Sequence, residues 1–196
     1  MRGSAAIIAL TLLACGPAIA EGDPEFVRMW EEAQKERPAR ISAQGRIAPE
    51  GEPGQPMRIR GTAFLQDGRT PAAGIVIFAF QTDARGLYHE EGARPLRLRG
   101  WAQTDHQGRF EFLTVRPGVY PNRSTPAHVH FTMDGKGLSR RWTGDLEFAD
   151  DPLLTDAQRS RSSEAGRFGS IRPVARDENG VEVVEIHLRA SDENRF

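Results

Sequence analysis

From Met57 onward, apolar and polar positions alternate in short runs separated by turn residues. These runs predict strands over Arg58 to Leu65, Gly74 to Gln81, Leu96 to Thr104, Arg109 to Val115, Ala127 to Met133, and Val181 to Arg189. Asp67-Gly68, Gln107-Gly108, Pro117-Gly118, Asp134-Gly135 and Asn179-Gly180 punctuate them, and glycine supplies the backbone angles that tight turns require. Short strands at this spacing predict an all-β protein built as an antiparallel β-sandwich. Upstream the period changes. Asp23-Pro24 has the signature of a helix start, and Phe26, Met29, Trp30 and Ala33 then recur on one face, predicting a short amphipathic helix. Arg37 to Pro56 is rich in proline, glycine and charge and reads as an extended arm or linker against the body. Asp150 to Arg172 is polar, with a helical turn after Asp151-Pro152, and reads as a surface excursion before the closing strand.

The first residues carry a different signal. Met1-Arg2 precedes an apolar run from Ala5 to Ala14, and Ala18-Ile19-Ala20 stands before the charged Glu21-Gly22-Asp23. Such a run is too short for a membrane span and predicts an export signal over 1–20. Two processing routes fit it: cleavage after Ala20, which we favour, or lipidation of Cys15, since Leu12-Leu13-Ala14-Cys15 resembles a bacterial lipobox. The expected locations are correspondingly periplasmic or secreted, or anchored by lipid to the outer membrane. The expected organisation is a signal peptide over 1–20, a helix and linker arm over 21–57, and a sandwich domain over 58–196.

Composition narrows the function. The chain of 196 residues has 26 basic and 27 acidic side chains, which leaves no electrostatic footprint for nucleic acid. Cys15 is the sole cysteine, so neither a disulfide nor thiolate chemistry is available.

The chemistry concentrates in two tyrosines, Tyr88 and Tyr120, and a His128-Val129-His130 triplet eight residues beyond the second. Alternation along a strand puts both imidazoles on one face and Val129 on the other. Two imidazoles with two phenols are an unusual set, because zinc favours cysteine, histidine and carboxylate, and calcium or magnesium favours carboxylate and carbonyl oxygen. A phenol with a pKa of about 10 ionises at neutral pH only beside a large positive charge, and two phenolates offset a trivalent ion better than a divalent one. The set therefore points to Fe(3+). Of the other histidines, His89 follows a candidate ligand directly, His106 sits in a turn, and His187 belongs to an alternating strand as a structural residue.

The stretch from Gly61 to Leu153 resembles the intradiol ring-cleavage dioxygenases, most closely the protocatechuate 3,4-dioxygenase branch. The resemblance is carried by Gly61 to Pro71, Gln81 to Tyr88, Arg99 to Asp105, Gly108 to Phe112, Pro117-Gly118-Val119-Tyr120-Pro121, Pro126-Ala127-His128-Val129-His130-Phe131, and Phe148 to Leu153. It implies Tyr88 and His128 as equatorial metal ligands, Tyr120 and His130 as axial ones, and Tyr120 as the base that takes a proton from the diol. It implies cleavage of a catechol-type aromatic diol by O2 between its hydroxyl-bearing carbons, giving a muconate-type diacid. By analogy it also implies a homo-oligomer. The chain departs from the family pattern in three places. Thr125 stands where arginine usually precedes Pro-Ala-His, with Arg123 the nearest substitute for that catalytic charge. Asn122 stands where tryptophan often follows Tyr-Pro, and the glutamine expected before the Asp-Pro-Leu loop is replaced near Asp145. Two readings without turnover stay open: a transthyretin-like sandwich that binds a partner, and an exported iron- or catechol-binding protein using the same four ligands.

Overall fold

The computed structural model describes residues 24–88, 96–135 and 137–190. The predicted export signal with Cys15, the predicted helix start at Asp23, and His89 lie outside the described residues. Helix α1 (Pro24–Gln34) is followed by strands β1 (Gln44–Arg46), β2 (Pro56–Phe64), β3 (Val76–Gln81), β4 (Leu98–Gln103), β5 (Arg109–Val115), β6 (His128–Gly135), β7 (Leu138–Trp142) and β8 (Leu146–Phe148). Helix α2 (Asp156–Glu164), β9 (Ile171–Arg172), β10 (Ala175–Arg176) and β11 (Glu182–Arg189) complete the order. One sheet runs β1-β5-β2-β11-β10; the other runs β4-β3-β6-β8-β9, with β7 paired to β6 beside β8.

The sandwich is as the hydrophobic pattern indicated, but the sheets are mixed. β1 pairs with β5, β2 with β11, and β8 with β9 in parallel. Alternation fixes which face of a strand is buried and leaves the direction of its neighbour open. β2 and β11 are distant in sequence, so no hairpin forces them antiparallel. The six sequence-predicted strands all occur, with ends moved by three residues or fewer. Alternation failed for β1, β7, β8, β9 and β10, each five residues or shorter. The polar excursion contains a true helix, α2, begun by a capping box in which Thr155 and Gln158 exchange hydrogen bonds.

Between the sheets lies a core that includes Ile59, Phe112, Val129, Phe131, Met133, Phe148 and Val184. A second apolar cluster sits on the other side of the β3-β6 sheet. There α1 turns Met29, Trp30 and Ala33 onto Phe78, Phe80 and Leu96. β3 is consequently buried at all six positions, which explains why Val76-Ile77-Phe78-Ala79-Phe80 shows no polar face. Trp30 is fully buried, edge-on to Phe78 at 6.0 Å, with the Arg140 guanidinium 3.8 Å above its ring.

The segment after α1 packs closely on the sandwich. A Cβ at Gly45 would stand 2.3 Å from the Trp101 carbonyl oxygen, and one at Gly100 would stand 2.2 Å from that of Arg46. Two glycines are therefore needed where β1 crosses β4, and Ile47 and Ala48 enter the core beyond the crossing.

Candidate metal centre

β6 carries His128 and His130 on its outward face, while Val129 between them is fully buried in the sandwich core. Its start is held by Asp151, whose carboxylate accepts from the Ala127 N–H at 2.8 Å and from the Leu153 N–H at 2.8 Å. His130 lies opposite Phe80 in the ladder, and the two rings stack with centroids 4.7 Å apart.

The tyrosines arrive on two loops that are tied together. Asp83, buried in the turn before Tyr88, accepts from the backbone N–H groups of Arg85 at 2.8 Å and Leu87 at 3.1 Å, and from the Arg85 guanidinium at 2.8 Å. Its carbonyl accepts from Gly86 at 3.0 Å and from Gly118 in the Tyr120 loop at 2.8 Å. Thr82 Oγ1 donates to the Gly118 carbonyl at 2.8 Å. The approach of the loops is closest at Gly86, φ +85, where a Cβ would meet the Val119 carbonyl oxygen at 1.9 Å. Burial opposes the charge on Asp83, yet hydrogen bonds from Leu87 and Arg85 outweigh it and hold the carboxyl below its usual range.

These elements bring Tyr88, Tyr120, His128 and His130 to one point. Their polar atoms form a closed ring: Tyr88 Oη to Tyr120 Oη 2.9 Å, Tyr120 Oη to His128 Nε2 3.1 Å, His128 Nε2 to His130 Nε2 3.0 Å, and His130 Nε2 back to Tyr88 Oη 2.9 Å. Tyr120 and His130 occupy opposite corners, as do Tyr88 and His128.

The outer ring nitrogens decide the tautomers. His128 Nδ1 lies 2.7 Å from the Pro126 carbonyl oxygen and His130 Nδ1 lies 2.9 Å from Asp145 Oδ1. A carbonyl or carboxylate oxygen only accepts, so each Nδ1 is the donor and each neutral imidazole turns an Nε2 lone pair into the ring. Two lone pairs facing one another across 3.0 Å repel unless a cation lies between them. Burial, and then the neighbouring His130, push the His128 pKa down, which keeps its lone pair available. Burial works against the Asp145 charge, but the attraction of His130, the hydrogen bond from it and the attraction of His128 together outweigh burial, and the carboxyl falls below its usual range.

The dimensions suit a single ion. Bonds of about 2.0–2.1 Å at right angles separate adjacent donors by roughly 2.9 Å, the scale of the ring edges. Among the described residues no group of three or more histidine, cysteine, aspartate or glutamate side chains could hold a metal, so the tyrosines are essential to any such site. The four donors therefore fit a hard, highly charged cation of the kind expected from the sequence.

Arg123 takes a different position. It lies in the turn after Tyr120 with φ +52, its N–H donating to the Tyr120 carbonyl oxygen at 2.7 Å, and its side chain is exposed to solvent. Thr125 is half-buried beside it. Sequence reasoning missed the supporting roles of Asp83, Asp151 and Asp145. In the sequence Asp145 stands out only as lying near a departure from the family pattern; its pairing with His130 depends on β8 running beside β6.

The family described as Dioxygenase matches residues 23–167. The chain belongs to the intradiol dioxygenase family. It is 33% identical over 117 residues to the protocatechuate 3,4-dioxygenase beta chain of Burkholderia cepacia, covering 53% of this chain and 49% of that one. It is 32% identical over 130 residues to catechol 1,2-dioxygenase 1 of Acinetobacter lwoffii, covering 56% of this chain and 41% of the relative. The chain thus spans less than half the length of either relative. The dioxygenase domain of a dioxygenase–carbohydrate-binding fusion from Streptomyces sp. SirexAA-E shares the intradiol dioxygenase fold, with a TM-score of 0.57 at 21% identity over 79% of this chain and 91% of that one.

Proposed function

We propose that this intradiol dioxygenase family member is an active ferric enzyme that cleaves a catechol-type aromatic diol with O2 between its hydroxyl-bearing carbons, giving a muconate-type diacid. The observation that carries the reading is the closed ring of two phenol oxygens and two inward-facing imidazole nitrogens. Fe(3+) held by Tyr88, Tyr120, His128 and His130 would supply the Lewis acidity that binds both diol oxygens and draws electron density from the ring. Tyr120 is the proton acceptor: its Oη is presented from the Pro117–Pro121 loop outside the strands, and a phenolate that takes a proton becomes a neutral phenol, a weaker donor to a cation. Tyr88 stays in place, since its carbonyl accepts from the Arg97 N–H at 2.9 Å and the Asp83 turn fixes the residues before it. His128 and His130 keep their lone pairs inward because Pro126 and Asp145 hold the opposite nitrogens. The Phe80 face stacked on His130 excludes water from one side of the centre. Arg123, exposed in the turn after Tyr120, is the residue assigned to offset negative charge on the substrate, because it lies two positions before Thr125, where the family pattern has arginine.

The test is the visible spectrum of purified protein reconstituted with ferric iron, before and after anaerobic catechol, followed by admission of O2. The reading expects a broad tyrosinate-to-iron band that moves to longer wavelength with catechol, then consumption of O2 with a diacid product. A protein that stays colourless with iron would refute the ligand set; a band that shifts with catechol but yields no product would leave a catechol-binding iron protein. The proposal includes export of the mature chain, supported by the apolar run before Ala20, and the mass of the mature N-terminus distinguishes cleavage there from acylation at Cys15.

A further inference from the structure

The two imidazoles of the ring are not equivalent. His128 Nδ1–H donates to a neutral carbonyl, that of Pro126, at 2.7 Å, whereas His130 Nδ1–H donates to the Asp145 carboxylate at 2.9 Å. Asp145 borders a polar cavity of about 380 Å³ whose lining includes Arg161, Gln158 and Ser170, so the carboxylate is not sealed in an apolar core. A full negative charge on the Nδ1 side pulls that proton outward and enriches the electron density at Nε2.

We infer that Asp145 is a positioning and tuning residue that makes His130 the stronger of the two imidazole donors and so favours the ferric over the ferrous state of the centre. The inference rests on the reading of the four donors as an iron site. The strengthened donor lies across the ring from Tyr120, the residue that gives up its place to the substrate. With His130 as the stronger donor, a bound cation would be held less tightly by the Tyr120 phenolate. The carboxylate also cancels the unit of charge left over when two phenolates face a trivalent ion, since two phenolates and one carboxylate make three negative charges.

Asp145→Asn separates charge from shape, because the amide oxygen still accepts the Nδ1–H while the charge is gone; Asp145→Ala removes both. The first readout needs no metal. In the metal-free protein, proton NMR of the histidine Nδ1–H resonances should show the His130 signal moving upfield in Asp145→Asn while the His128 signal stays put. The second readout uses the ferric protein. Asp145→Asn should raise the Fe(III)/Fe(II) midpoint potential and move the tyrosinate-to-iron band to longer wavelength, with ferric affinity kept within a few-fold of wild type. Asp145→Ala should lower ferric affinity by about 10–100-fold, the usual range when the partner of a metal-bound histidine is removed. An Asp145→Asn protein with unchanged potential and band would overturn the inference while leaving the iron site intact. A wild-type protein that takes up no ferric iron would instead overturn the iron reading, and the NMR comparison would still decide whether Asp145 polarises His130.

Discussion

Gly86→Ala tests whether the fit between the two tyrosine loops sets the proposed metal site. The added Cβ would stand 1.9 Å from the Val119 carbonyl oxygen, 2.7 Å from the Val119 carbonyl carbon and 3.2 Å from the Tyr120 Cα. Those neighbours are backbone, so no side chain can swing aside; the loops must separate by about 1.5 Å to reach ordinary contact. Metal–ligand distances tolerate deviations of only about 0.2 Å, so a shift of that size takes Tyr120 out of range. The φ of +85 adds a left-handed backbone cost of roughly 1–2 kcal/mol. Loss of one of four donors should weaken ferric binding by at least ~100-fold, about 2.7 kcal/mol. The assay is competition between protein and a chelator, read at the tyrosinate-to-iron band, with far-ultraviolet circular dichroism to follow the sheets. Gly74→Ala is the matched control, because Gly74 has φ +71 and nothing within 4 Å of a Cβ, so it carries the backbone cost alone. The expected result is a sandwich retained in both variants, each melting a few degrees lower, with iron lost only from Gly86→Ala. Gly86→Ala binding iron as tightly as Gly74→Ala would refute the idea that this contact positions Tyr120.

Trp30→Ala should destabilise the protein by about 3–5 kcal/mol, since it empties a fully buried site between α1 and Phe78, and urea unfolding measures it. Asp83→Asn should lower thermal stability at neutral pH and flatten its acid dependence. The folded pKa of Asp83 lies below that of the unfolded chain, so its contribution is present above about pH 4 and is lost as pH falls through the folded value; equal melting of wild type and variant across pH 3–7 would contradict the role given to its hydrogen bonds. Arg123→Ala should reduce turnover of a catechol on the order of 100-fold while leaving iron content unchanged, and unaltered kinetics would remove Arg123 from the reaction.

The four residues that meet in the ring were legible in the sequence, as were the six longer strands but not their pairing. Strand alternation put His128 and His130 on one face and Val129 on the other, a local property of extended backbone that folding does not change. The choice of phenols and imidazoles narrowed the cation by charge and hardness alone, before any distance was known. Three features depended on tertiary contact. Parallel pairing of β2 with β11 is invisible in either strand's own pattern, because alternation describes faces and says nothing of the neighbour's direction. The meeting of the Tyr88 and Tyr120 loops rests on Gly86 and Gly118, whose lack of side chains gains meaning only when another backbone lies against them. Asp145 is one polar residue among many along the chain; it becomes the partner of His130 only because β8 lies beside β6. Residue type and local period fixed which groups can do the chemistry, and packing between distant segments decided which of them meet and what charge stands behind each.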